Sequence, residues 1–236
     1  MVQAVKVFLA PEEIEPLNLT DIETENDTHV DNFFTDELRR LLVEVLYGAW
    51  AKKISPRKFL AGADIGVFYA EGQPPLVPDV FLSLDVEIER DFYDKRNRSY
   101  FIWVVGKPPD VAIEIVSNRK GNELTSKRSL YAEIGIDYYV AFDPTQQLST
   151  ELLQVFELRG GVYALLEPIE ISEQLSIVWL EQIGLGLRLW EGMYESKQDR
   201  WLRWCDRQGK VLPTGTEKAD RLAAKLRSMG IDPDLD

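Results

Sequence analysis

Asp79 follows Val77-Pro78 at the start of an apolar stretch, and Glu114 stands in Val111-Ala112-Ile113-Glu114-Ile115-Val116, a segment with no other polar side chain. Burying an unpaired carboxylate costs several kcal/mol at least. Glu114 must therefore meet a cation, a proton or a metal, unless its face of the strand is open to water. Asp110 alternates onto the same face as 112 and 114, but it adjoins Pro108-Pro109 and reads as a cap where the strand begins. Lys127 lies on the helix expected to follow Glu114's strand, turned either inward to the carboxylates or outward to water. Carboxylates with an amine beside them suit oxygen-ligand metal chemistry or acid/base work.

Scarcity narrows the chemistry further. The chain holds one His (His29) and one Cys (Cys205), too few for a Cys/His zinc site or a disulfide framework. A Ser-His-Asp triad would have to run through His29, and no G-x-S-x-G elbow is present. No glycine loop fits a phosphate-binding or dinucleotide fingerprint. Nothing in the sequence brings His29 and Cys205 together, and Trp201 and Trp204, three residues apart among apolar neighbours, read as packing rather than base stacking.

The net charge of −13 opposes tight, indiscriminate nucleic-acid binding. Its distribution is uneven: from Lys95 to Arg128 eight basic and three acidic residues give +5, leaving −18 elsewhere. That stretch is a solvated surface or a phosphate-facing one. No apolar run approaches the ~20 residues that span a bilayer, and the first ten residues lack a signal-peptide pattern. The cytoplasm is the expected location, without membrane association.

These residues need elements to position them. Val30, Phe34, Leu38, Leu41, Leu42, Val45 and Leu46 recur at helical spacing and predict an amphipathic helix over 29–47. Strands are expected at 59–69, 77–84, 100–105, 111–116 and 138–142, with a helix from about 122 to 134 closed by Gly135. Strand, helix, strand with short links is a right-handed crossover, so 111–116 and 138–142 should be parallel; the earlier strands should be antiparallel. Hairpins follow: 153–158 with 162–167, then 185–190 turning at Glu191-Gly192, and a turn at 207–210. Thr214 and Glu217 are spaced as a capping box for a last helix, whose stripe is Ala219, Leu222, Ala223, Leu226 and Met229.

In order and spacing the sequence resembles the Uma-type restriction endonucleases, a branch of the PD-(D/E)xK nuclease superfamily. The carriers are Pro78-Asp79-Val80, the run from Pro109 through Glu114 to Ser117, then Lys127, Tyr131, Gly135 and Tyr138 through Asp143-Pro144. The resemblance implies that Asp79 and Glu114 bind Mg2+ or Mn2+ and that Lys127 assists catalysis. The commoner superfamily pattern places a lysine two residues after the Glu; Val116 stands there, and the Uma-type branch takes the lysine from the following helix. Glu25 and His29 are auxiliary candidates, together with Asp110. Where the family usually has Ser-Pro or Ser-x-x-Thr, this chain has Ser117-Asn118-Arg119-Lys120. Arg119, Lys120 and Arg128 are the nucleic-acid-binding candidates.

The expected fold is α+β: a restriction-endonuclease-like mixed β-sheet flanked by helices, with a β-hairpin C-terminal extension and a terminal helix. An N-terminal arm (1–28), a nuclease-like domain (29–190) and the extension (191–236) are the expected parts. The expected function is metal-dependent phosphodiester hydrolysis, with DNA bound weakly and salt-sensitively and with a homodimer. One rival is a catalytically idle nuclease-like binding or assembly module. A second is an acid/base carboxylate pair acting on a carbohydrate, which would need an open cleft between Asp79 and Glu114.

Overall fold

The computed structural model describes residues 32–54, 57–88, 91, 93–117 and 124–233. The predicted amphipathic helix is present as α1 (Phe33–Val45), opened by Asn32, whose side chain accepts the Thr35 N–H at 2.8 Å. It continues past the expected Tyr47 as a π turn (Leu46–Trp50) and a short α2 (Ala51–Ile54). At that transition the Leu46 N–H goes to Val43 O, and the Trp204 indole N–H takes the Leu42 carbonyl at 3.1 Å.

A six-stranded mixed sheet carries the centre of the molecule, in the order β1 (Phe59–Ala63), β3 (Val80–Leu84), β5 (Val111–Ile115), β6 (Tyr138–Phe142), β7 (Leu153–Arg159), β8 (Val162–Leu165). The pair β5–β6 is parallel, as the crossover predicts, and its other pairs are antiparallel. The crossover helix is α4 (Ser126–Ile134), stopped by Gly135 in the left-handed region at φ +85°. Side-chain alternation sends Val111, Ile113 and Ile115 toward α1 and Ala112 toward α4. The central strands are apolar on both faces because each face has a helix on it.

A second, antiparallel sheet has the order β12 (Lys197–Cys205), β11 (Leu185–Tyr194), β10 (Leu175–Leu180), β9 (Ile169–Ser172). Trp201, Leu202, Trp204 and Leu187 share one buried cluster with Leu38, Leu41 and Leu42 of α1 and with Val80, Ile113 and Val140 of the first sheet. Helix α1 is thus packed from both sides, and Trp201 and Trp204 are packing residues.

Three expectations need correction. The single strand over 59–69 is broken at Asp64 (φ +56°), and Val67–Phe68 forms β2, paired in parallel with β4 (Tyr100–Phe101). Because β2 offers β4 only two partners, the expected strand over 100–105 ends at Phe101. Residues Ile102–Val105 satisfy their own backbone as the helical turn α3, closed by Gly106. The turn expected at Glu191-Gly192 lies instead at Glu195-Ser196, both at positive φ as a tight hairpin needs. Gly192 stays in β11 beneath the Trp190 indole, where a Cβ would come within 2.0 Å of the ring. The hairpin β9–β10 was not anticipated: Ile169–Ser172 is exposed along its length and carries no buried stripe.

The last helix, α5 (Gly215–Ser228), has both arms of the Thr214–Glu217 capping box. Glu217 also pairs with the fully buried Arg203 of β12 at 3.0–3.1 Å, and Arg203 stacks on Trp190 at 4.6 Å. Removing one member of a buried pair leaves the other charge uncompensated. Glu217→Ala should therefore cost about 3 kcal/mol in urea unfolding, against about 1 kcal/mol for Thr214→Ala. Equal losses would mean that the Arg203 contact contributes nothing beyond the cap.

Candidate active site

The register Val80↔Ile113 between β3 and β5, continued by one step, sets Asp79 opposite Glu114. Opposed positions in an antiparallel pair lie about 5 Å apart at Cβ. Asp79 stands where the ladder ends, and its Oδ2 accepts the Ile115 N–H at 2.6 Å in place of a further strand partner. Its Oδ1 accepts the Arg39 Nε–H at 2.8 Å and a second donor, Arg39 Nη2. Arg39 comes from α1, where Leu38, Leu41 and Leu42 on the buried face fix its direction.

Glu114 is 2% exposed. Its Oε1 accepts the Tyr131 hydroxyl at 2.6 Å and its Oε2 accepts Lys127 Nζ at 3.1 Å. Lys127 and Tyr131 lie one turn apart on α4, so one helical face delivers both. Tyr131 is stacked on Tyr139, with ring centroids 5.3 Å apart. Lys127 thus takes the inward orientation of the two the sequence left open.

Burial and mutual repulsion set the protonation of this cluster. Burial pushes Glu114 up to about 7; Lys127 opposes the shift and the Asp79 charge adds to it. Burial raises Asp79 as well, against the pull of Arg39, the Ile115 N–H and Lys127. Tyr131 is pushed well above its usual 10, by burial first and then by the Glu114 charge, so it stays a proton donor.

Asp79, Glu114 and Lys127 are therefore together, joined by Arg39 and Tyr131. The other candidates are elsewhere. Asp110 begins the strand, about 13 Å from Glu114 at strand rise, where it accepts the Leu84 N–H and Lys107 Nζ, each at 2.7 Å. Arg128 lies over the Phe156 ring at 4.8 Å. Glu25, His29, Arg119 and Lys120 fall outside the described residues. The basic stretch is not one open surface: Arg96 pairs with Asp94, Arg98 donates to Tyr93 O, and Lys107 is engaged with Asp110.

Among the described residues no group of three or more His, Cys, Asp or Glu is assembled for a metal. Two adjacent carboxylates still fit Mg2+, which takes one or two carboxylates and fills its remaining positions with water and substrate oxygens. Burial raises both carboxyls above their usual range, and a divalent cation beside them would offset that cost.

The Uma2 family model, described as a putative restriction endonuclease, matches residues 29–189. That stretch is more than half of the 236 residues. The chain belongs to the Uma2 family. No curated protein matches it. The Uma2 match includes Arg39, Asp79, Glu114, Lys127 and Tyr131 and ends within β11, before the β12 tryptophans that hold α1. Nuclease chemistry is the general activity that the family description supports. No helix among the described residues is long and apolar enough to cross a membrane.

A carboxyl that titrates near 7 when folded and near its usual 4.5 when unfolded binds more protons in the folded state between those values. Metal-free stability therefore falls as pH rises through that window. Glu114→Gln removes this term, so its advantage over the wild type should grow from pH 4.5 to 7, reaching on the order of 3 kcal/mol. Urea unfolding in a chelator checks it, and a difference that stays flat with pH would mean Glu114 titrates normally.

Proposed function

We propose that this Uma2 protein is an Mg2+- or Mn2+-dependent endonuclease with DNA as its substrate. The observation that carries the reading is the shared site of Asp79, Glu114 and Lys127, drawn from two opposed strands and the crossover helix. Asp79 and Glu114 are the residues that would hold the cation, which when bound polarises the phosphate and lowers the pKa of its water. Lys127 orients that water and offsets charge developing on the phosphoryl oxygens. Tyr131 fixes the Glu114 carboxylate through its 2.6 Å hydrogen bond, and the apolar strands around Glu114 keep bulk water from its buried side.

A second reading, the catalytically idle scaffold, draws support from Arg39. Among the described residues the cluster pairs two negative with two positive side chains. In that reading the ion pairs serve the fold alone.

A homodimer would suit cutting two strands. Leu222 and Met229 of α5 are 63% and 64% exposed, which gives such a contact an apolar face. Light scattering at micromolar concentration should then return twice the 27.1 kDa chain mass, and a monomer there would end the idea.

Supercoiled plasmid should be nicked in Mg2+ or Mn2+ at low salt. Asp79→Ala and Glu114→Ala should abolish nicking, and Lys127→Met should slow it roughly 100- to 1,000-fold. Activity should fall with added salt, since a chain of net charge −13 binds phosphates weakly at the outset and salt screens the few Lys and Arg contacts that it has. No cleavage in either metal by the folded wild type would favour the scaffold.

A further inference from the structure

Asp79 and Glu114 stand at the end of the sheet where the parallel strands β5 and β6 finish, and a cavity of about 820 Å3 opens at that same end. It lies between the start of α1, the residues that follow β5 and β6, and the β11–β12 hairpin. Two of its lining residues tie it to the carboxylate cluster. Ser117 is three residues past Glu114, about 10 Å at strand rise. Thr35 precedes Arg39 by one turn of α1, about 6 Å on a helix surface.

The wall of the cavity is aromatic. Phe34 and Phe142 line it with ring centroids 6.5 Å apart, and Phe34 is braced by stacking on Trp201 at 5.3 Å. Phe33, at the α1 end of the lining, is 88% exposed. Among the described residues, the rim cations are each paired: Lys197 with Asp199 at 2.9 Å and Arg200 with Glu191 at 2.8 Å. A phosphate arriving there would meet two carboxylates beside its two cations. An uncharged flat ring with a polar edge fits better. Its faces would meet the phenyl rings, and its edge the amide of Gln198, which both donates and accepts.

We propose that this cavity binds an unpaired nucleobase of the strand whose phosphodiester lies at Asp79 and Glu114, so that the substrate is single-stranded or locally opened DNA. The inference rests on the nuclease reading above and narrows its substrate. The separation of about 10 Å is the rise of about three stacked nucleotides at 3.4 Å each, so one strand reaches both places. Every base has a π-face to offer an aromatic wall, and a base within a duplex cannot enter without leaving its partner. Stacking also lets a chain of net charge −13 hold a nucleic acid by something other than its phosphates.

The test mixes the full chain, at low salt in Ca2+, with three labelled probes: a short oligothymidine, the same backbone made abasic throughout, and a duplex of equal length. The first two carry the same phosphates and sugars and differ only in the bases. Anisotropy should show the oligothymidine binding roughly tenfold more tightly than the abasic strand, the effect of one stacked base, and more tightly than the duplex. Added salt should weaken both single strands alike and leave their ratio unchanged. Phe33→Ala should lose most of the advantage and Phe33→Trp should keep it; so exposed a ring has little packing to lose, and both variants should fold. A strand carrying 5-iodouracil should crosslink on irradiation to the peptide that holds Phe33 and Phe34.

Equal affinity for the two single strands, failure to bind either, an advantage undiminished in Phe33→Ala, or a crosslink confined to other peptides would each overturn the proposal. A protein that nicks plasmid yet ignores the bases would keep the nuclease reading and lose the base site. One that distinguishes the two strands but nicks nothing would keep the base site and lose the nuclease reading.

Discussion

The hydrogen bond from the Ile115 N–H to Asp79 Oδ2 joins the two strands on which the site depends. Strand β3 begins at Val80, so its ladder with β5 ends there, and the Ile115 N–H beyond it would be buried without a strand partner. The carboxylate takes the place of the missing strand carbonyl. This fixes Asp79 beside Glu114 by the same register that pairs Val80 with Ile113. A short aspartate terminating a ladder is thus a structural device before it is a chemical one. Its other oxygen takes the Arg39 guanidinium.

What the sheet brings together, the helices must neutralise. Glu114 points to the face covered by α4, and that helix contributes a hydroxyl and an amine one turn apart. Asp79 lies just before β3 and receives its guanidinium from α1. Helix α1 can hold Arg39 there because it is gripped by two sheets, including an indole hydrogen bond to its Leu42 carbonyl. The C-terminal sheet, though it lies largely beyond the family match, therefore acts on the site through α1.

Much of this was legible in the sequence where local pattern and tertiary demand agree. A carboxylate inside Val111–Val116 announces a buried charge needing a partner, and strand-helix-strand spacing gives the parallel β5–β6 pair. The core helix was readable because its apolar residues repeat at 3.6. Arg39 was not, because a cation on the flank of an amphipathic stripe has the pattern of a solvated residue; only the register of β3 against β5 tells it where to point. Tyr131 had a usable signal, its i,i+4 relation to Lys127 on the same helix face. Strand ends were missed where the partner strand, rather than propensity, decides length: Ile102–Val105 has the residues of a strand and only two partners to pair with. Gly192 misled for the opposite reason, since a glycine that makes room for an indole looks like a turn.

The electrostatics of the cluster link stability and function through one quantity, the cost of buried negative charge. Glu114 titrates near 7 because burial outweighs the attraction of Lys127, so the fold tolerates the residue by protonating it or pairing it. An acid that the protein had fully satisfied would return to its usual range and have little affinity left for a further cation. Asp79, with three hydrogen bonds, approaches that satisfied state, yet burial still holds it above its usual value. In the proposed metal site, incomplete compensation at both carboxylates would leave a reserve of affinity for a divalent ion, and Arg39 and Lys127 would set its size. At 79 an acceptor is needed for the Ile115 N–H, whereas at 114 a well-packed apolar residue is often a more stable choice than a buried ion pair. That Glu114 stands there instead, paired with Lys127, whose side chain is 37% exposed, is the physical argument for the binding role proposed for the cluster.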